Sequence, residues 1–221
     1  MAGRTYGDRC GVARALDVVG ERWALLVVRE LLLGPKRFTD LHRGLGGVSQ
    51  NVLSQRLREL ERAGVLRRRR LGPPVGATVY ELTEAGAALE PILVELGRWG
   101  RFRPVGEATT AFSVDAFLLA LRTAFDPAAA GDLRATVALR LGDEEYAVRI
   151  AGGTLRAERG APVAADAAVE ADVPTVREVA FGDLRVADAV AAGSAAVEGD
   201  EATLQRVFDA VAGRAAGITS G

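Results

Sequence analysis

Five side chains between Gln50 and Arg58 have the chemistry to read the edge of a nucleobase. Gln50, Asn51 and Gln55 carry carboxamides, which pair a donor with an acceptor as the major-groove edge of adenine does. Arg58 carries a two-pronged guanidinium that matches the two acceptors of guanine, and Ser54 can donate or accept. Leu53, Leu57 and Leu60 recur at i, i+4 and i+7, so on a helix the leucines share one face and the polar five lie on the others. Ser49 stands at the N-cap position of that helix and adds a hydroxyl to the group. The competing reading is a merely solvated face, although such faces usually carry Glu and Lys in i, i+4 pairs.

A second group is the run Arg67 to Arg70. After Gly64 the apolar period changes to two, and Val65 to Leu71 and Thr78 to Leu82 read as strands joined by the proline-rich loop Gly72 to Gly76. A hairpin beside a helix-turn-helix is a wing, in which Arg68, Arg69 and Arg70 are candidates for phosphate contact. Alternation sends two of the four arginines to each face, and a solvated edge strand is the alternative.

Three helices must precede the reader and hold it. Val12, Leu16, Val19, Trp23 and Leu26 lie at helical spacing broken at Gly20, giving helices over 11–19 and 21–33. Gly34-Pro35 ends the second, 37–43 forms a third, and Gly44 to Gly47 make the turn before Ser49. Thr83 caps a last helix with Leu89, Leu93, Leu96 and Trp99 in a buried stripe, and Pro91 either kinks it or marks its start. Residues 1 to 104 carry 18 Arg or Lys against 11 Asp or Glu, a charge of +7; the remainder carries 10 against 18, a charge of −8. A polyanion suits the first half and repels the second.

Cys10 and His42 are the sole cysteine and histidine, which excludes an internal disulfide and a multi-thiolate zinc site. No cofactor, metal or catalytic residue is expected, and an enzyme is disfavoured on the same ground. The N-terminal residues lack the apolar stretch of a signal peptide, and no apolar run reaches the ~18 residues that span a bilayer, so the expected location is the cytoplasm, away from membranes.

The segments Cys10–Trp23, Arg29–Phe38, Leu53–Glu61 and Tyr80–Gly86, in that order and spacing, resemble the HxlR family of bacterial winged helix-turn-helix regulators over about residues 8 to 102. The resemblance implies a homodimer on an inverted-repeat operator in double-stranded DNA, with the helix from Ser49 as reader. Where the family has Cys-Pro this sequence has Cys10-Gly11. Some members sense oxidants through that cysteine. For Cys10 two readings stand, a redox-reactive thiol at a helix N-terminus and a small buried hydrophobe; Gly11 favours the second.

The second half opens with a linker at Pro104 to Thr110, followed by an amphipathic helix through Phe112, Phe117, Leu118, Leu121 and Phe125. Strands are read over 135–141, 146–150, 154–158, 167–170 and 195–198, and helices over 175–181, 186–192 and 202–211. The fold class is thus a mainly α winged helix-turn-helix (1–104) followed by an α+β domain (112–215), an antiparallel sheet with helices on one face. Phe181 to Leu204 resembles the end of the sterol carrier protein type two fold, which implies an apolar effector pocket. Phe117, Leu121, Leu139, Val148, Ile150, Val179 and Phe181 are the candidate lining residues, and they equally suit an ordinary core. Two functions remain: a DNA-binding regulator controlled by a small apolar effector, or a constitutive or thiol-sensing regulator whose second domain serves dimerisation or docking.

Overall fold

The computed structural model describes residues 5–72, 76–103 and 113–212. The described residues form two compact units, one of residues 5–72 and 76–96 and the other of residues 97–103 and 113–212. The expected linker at Pro104 to Thr110, Phe112, and Pro73 to Val75 of the wing loop lie outside the described residues.

The first unit contains α1 (Gly11–Val19), α2 (Ala24–Leu31), α3 (Phe38–Leu45), α4 (Gln50–Arg62), a hairpin of β1 (Leu66–Arg70) and β2 (Thr78–Leu82), the single turn α5 (Glu84–Ala87), and most of α6 (Glu90–Gly100). Its core is Val27, Val28, Leu31, Leu41, Leu53, Leu57, Leu60 and Leu66, each at most 2% exposed. Helix α2 starts later than its sequence implies. Trp23 adopts φ 77°, a left-handed conformation that interrupts the helical path before Ala24. Pro91 falls in the first turn of α6, where its missing N–H is tolerated, so it marks a helix start instead of a kink.

The expected stripe on α6 is only half covered. Leu93 is 5% exposed, whereas Leu96 is 45% and Trp99 61% exposed; on α1, Val12 and Leu16 are likewise in water. Apolar spacing identifies a face that wants cover, and among the described residues these side chains stay largely in water, with Arg103 stacked over the Trp99 ring at 4.5 Å.

The second unit holds α7 (Val114–Ala124), α8 (Pro127–Ala130), β3 (Ala135–Leu141), β4 (Glu144–Ala151), β5 (Thr154–Arg159), β6 (Ala167–Ala171), α9 (Val173–Phe181), α10 (Val186–Ala191), β7 (Ala195–Gly199) and α11 (Glu201–Ala212). Caps at Ser113, Asp126 and Asp172 start α7, α8 and α9 by accepting backbone N–H bonds. The strand order is β5-β4-β3-β6-β7, and the sheet is mixed, not antiparallel throughout, because β6 runs parallel to β3. The connection through residues 160–166 carries the chain from the β5 edge past β4 and β3. Asp166 then fixes the new register, its backbone N–H donating to Thr136 O (2.8 Å) and its carboxylate accepting from Thr136 N (2.7 Å). Helices α7 and α11 pack on one sheet face, where Leu121, Val207, Phe208 and Val211 meet Val137, Leu139, Val148 and Leu155.

Candidate nucleic-acid interface

Helix α4 begins as its sequence dictates. The Ser49 hydroxyl accepts the Val52 N–H at 3.3 Å, and Leu53, Leu57 and Leu60 are buried. Gln50, Asn51, Gln55 and Arg58 are exposed and Ser54 half-buried. The Gln55 amide donates to Glu59 Oε1 at 3.0 Å, so Gln55 must exchange that bond before it touches a base. Arg58 has no side-chain partner among the described residues, leaving its guanidinium fork open. Arg56, absent from the sequence candidates, is 8% exposed and bridges Glu59 and Glu21, the latter at 3.5 Å. Its position was readable: it lies three residues after Leu53 and four before Leu60, on the flank of the buried stripe.

The wing divides its arginines by register. Arg67 lies opposite Glu81 and Arg69 opposite Val79, whereas Arg68 faces Tyr80 and Arg70 faces Thr78. Glu81 takes Arg67 Nε on Oε1 at 2.7 Å and Arg69 on Oε2, with Nε at 2.9 Å and an Nη at 2.8 Å. The Arg69 guanidinium, and after it that of Arg67, hold the Glu81 carboxyl below the usual carboxylate range. Arg68 and Arg70 are exposed and have no partner among the described residues. Of the three expected phosphate contacts, two are therefore open and Arg69 is engaged within the hairpin.

Two joints hold the reader and the wing in place. Glu30 of α2 is fully buried and accepts from Arg29 (2.8 Å) and from Lys36 Nζ (2.8 Å). A Cβ on Gly44 would stand 2.4 Å from Glu30 Oε2, so the glycine makes room for the carboxylate. Lys36 also exchanges both backbone hydrogen bonds with Tyr80, adding a bridge to the outer side of β2. At the second joint, the Thr83 hydroxyl donates to Gly64 O (2.6 Å) and accepts the Gly86 N–H (3.1 Å). Any Cβ on Gly86 would lie 2.0 Å from Val65 O, which explains the glycine in Tyr80–Gly86.

Cys10 is exposed, which removes the buried-hydrophobe reading; it precedes α1 without a side-chain capping bond. His42 stacks on Phe38 with ring centroids 6.2 Å apart. Among the described residues no group of three His, Cys, Asp or Glu is placed to hold a metal ion, and no helix is long and apolar enough to cross a membrane.

In the second unit, Phe117, Leu121, Leu139, Val148, Ile150 and Val179 are buried, each at most 4% exposed. Phe181 is instead 40% exposed at the end of α9, edge-on to Phe117 with centroids 6.0 Å apart. The void among Leu121, Leu139, Val148 and Phe208 is too small for a water molecule. Leu121, Leu139 and Val148 are packed together without room for a small molecule in this conformation.

The HxlR-like helix-turn-helix family model matches residues 18–104, and the alkyl sulfatase C-terminal family model matches residues 106–213. The HTH-type transcriptional regulator YvaP of Bacillus subtilis is 41% identical over 86 residues, 39% of this chain and 80% of that protein. The structure of the reduced transcriptional regulator YodB of B. subtilis is 32% identical, covers 45% of this chain and all of that one, and gives a TM-score of 0.40. The sec-alkyl sulfatase PisA1 is 24% identical with a TM-score of 0.42, over 47% of this chain and 17% of the sulfatase. With the capped helix α4, an arginine-bearing hairpin and this degree of identity across its first unit, the chain belongs to the HxlR-like helix-turn-helix family of DNA-binding transcriptional regulators.

Proposed function

We propose that the protein acts in the cytoplasm as a homodimer on an inverted-repeat operator, with α4 in the major groove and the wing on the phosphate backbone. The observation that carries this reading is the open face of α4. Gln50, Asn51, Ser54, Gln55 and Arg58 lie on a helix whose opposite face is buried, and Ser49 caps its start. Arg68 and Arg70 supply the wing's sequence-independent contacts, and the exposed apolar residues of α1 and α6 supply the dimer surface.

Arg58→Ala should relax base preference and cost about 1–3 kcal/mol on the selected site, while Arg68→Ala or Arg70→Ala should weaken all duplexes alike. Sequence selection from a random pool, followed by titration of each variant, checks this. A wing variant that altered base preference would reverse the assignment.

The effector we propose is a small amphiphile with an apolar chain. Support comes from the likeness of residues 106–213 to the C-terminal part of alkyl sulfatases and from the apolar layer between α7, α11 and the sheet, the arrangement that the sterol-carrier resemblance implies. Entry requires that layer to open, and Phe181, exposed beside Phe117, stands at its margin. An effector changes DNA affinity only by its differential affinity for the two states, about 1.4 kcal/mol per tenfold change. Native mass spectrometry of protein from its host should show a retained apolar ligand. In the full-length chain, Val148→Trp should abolish the response to added alkyl sulfate while DNA binding persists, at an overpacking cost of about 1–3 kcal/mol that a thermal melt of the same variant must show to be short of unfolding. An unaltered response in that variant would place the sensor elsewhere.

A further inference from the structure

We propose that Glu81 is a specificity-determining residue of the DNA interface, acting as an internal rival of the phosphate backbone for half of the wing's arginines. The inference rests on the reading of the wing as a phosphate contact.

Glu81 sits where two arginines of one hairpin face converge. Arg67 is its direct cross-strand neighbour and Arg69 its diagonal one, and each guanidinium occupies a separate carboxylate oxygen, at 2.7 and 2.9 Å. Two oxygens with one negative charge, each accepting from a guanidinium, are what a backbone phosphate would also present. The Glu81 side chain is 12% exposed while those of Arg67 and Arg69 are 67% and 48% exposed, so the pairs are partly solvated and a phosphate can compete with the carboxylate for either guanidinium. The trio carries a net charge of +1 where the two arginines alone would carry +2. Arg68 and Arg70, on the opposite face, have no such rival among the described residues.

Electrostatic attraction to phosphate is blind to sequence, and it supplies essentially all of non-specific binding. A regulator must find its operator among a vast excess of other sites, so the ratio of specific to non-specific affinity matters more than either alone. Holding Arg67 and Arg69 lowers non-specific affinity without touching the base-reading face of α4. The sequence places the acid and the arginines in different strands, so only the register makes the device visible.

The test uses the full-length protein, a random-sequence duplex and the duplex that the protein selects from a random pool, each titrated over a salt series. Glu81→Gln should bind the random duplex at least tenfold more tightly, and the slope of log K against log salt should steepen by about 0.9 to 1.8, one to two phosphates' worth. Preference for the selected duplex should fall. The double variant Arg67→Gln/Arg69→Gln, with Glu81 intact, should keep the wild-type slope. An unchanged or shallower slope in Glu81→Gln overturns the proposal, and so does a slope lost in the arginine double variant, because those arginines would then already be on DNA. Should Glu81→Gln prove unfolded by circular dichroism, the arginine double variant decides alone. Arg68→Gln/Arg70→Gln separates the two layers of inference. No change of slope there removes the wing from DNA altogether, whereas a loss of slope there without a gain in Glu81→Gln overturns only the role of Glu81.

Discussion

Leu16→Glu/Leu96→Glu should convert the protein from a dimer to a monomer and weaken binding to an inverted-repeat operator by about a hundredfold or more. The two leucines are 41% and 45% exposed, so a charge at either position stays in water and the fold of the chain is spared. At a dimer surface the same charges would be buried without partners, at a cost that a modest interface cannot offset. Loss of the second protomer removes the intramolecular step by which a dimer engages its second half-site, which acts at effective concentrations of about millimolar. Binding to a single half-site should change little. Sedimentation velocity and titration of full and half operators check the result, and a variant that remains dimeric would move the interface off α1 and α6.

Glu30→Ala should destabilise the first unit by about 3–5 kcal/mol, because it leaves Arg29 and Lys36 facing a buried site without its carboxylate. Near 4–8 °C per kcal/mol for a unit of this size, the melting temperature should fall by roughly 12 °C or more. Glu30→Gln keeps the volume and some of the hydrogen bonds and should cost less. Differential scanning calorimetry of both variants is the measurement. A loss below about 1 kcal/mol would mean that the network behaves as a surface ion pair.

What the sequence made legible were the features that local spacing determines. Ser49, Thr83 and the leucines of α4 announce themselves by position, and the arginine run betrays its alternation by period alone. Four features depend on what lies opposite in space. Parallel and antiparallel strands share the same alternation, so the β3–β6 pairing was invisible in Ala167 to Ala171; the length of the 160–166 connection was its one clue. The apolar spacing of Leu96 and Trp99 gives a stripe but does not say whether the covering surface belongs to the same chain. The apolar residues near Val148 read identically for a lined cavity and for a closed core, because the two differ only in how the side chains fill the space between helices and sheet. Glu81 was passed over because its partners lie 12 and 14 residues away.

Lys36 has a practical consequence. It is the one lysine among 28 basic residues, and its Nζ lies in the Glu30 joint with a side chain only 12% exposed. An amine-reactive reagent therefore has a single side-chain target in the sequence, and it can acylate that target only when the joint opens. The rate of acylation, followed by mass spectrometry, measures how often α2 and the start of α3 part in the native protein, much as amide exchange measures local opening. The fold thus carries its own chemical clock at the joint that ties α2 to the hairpin.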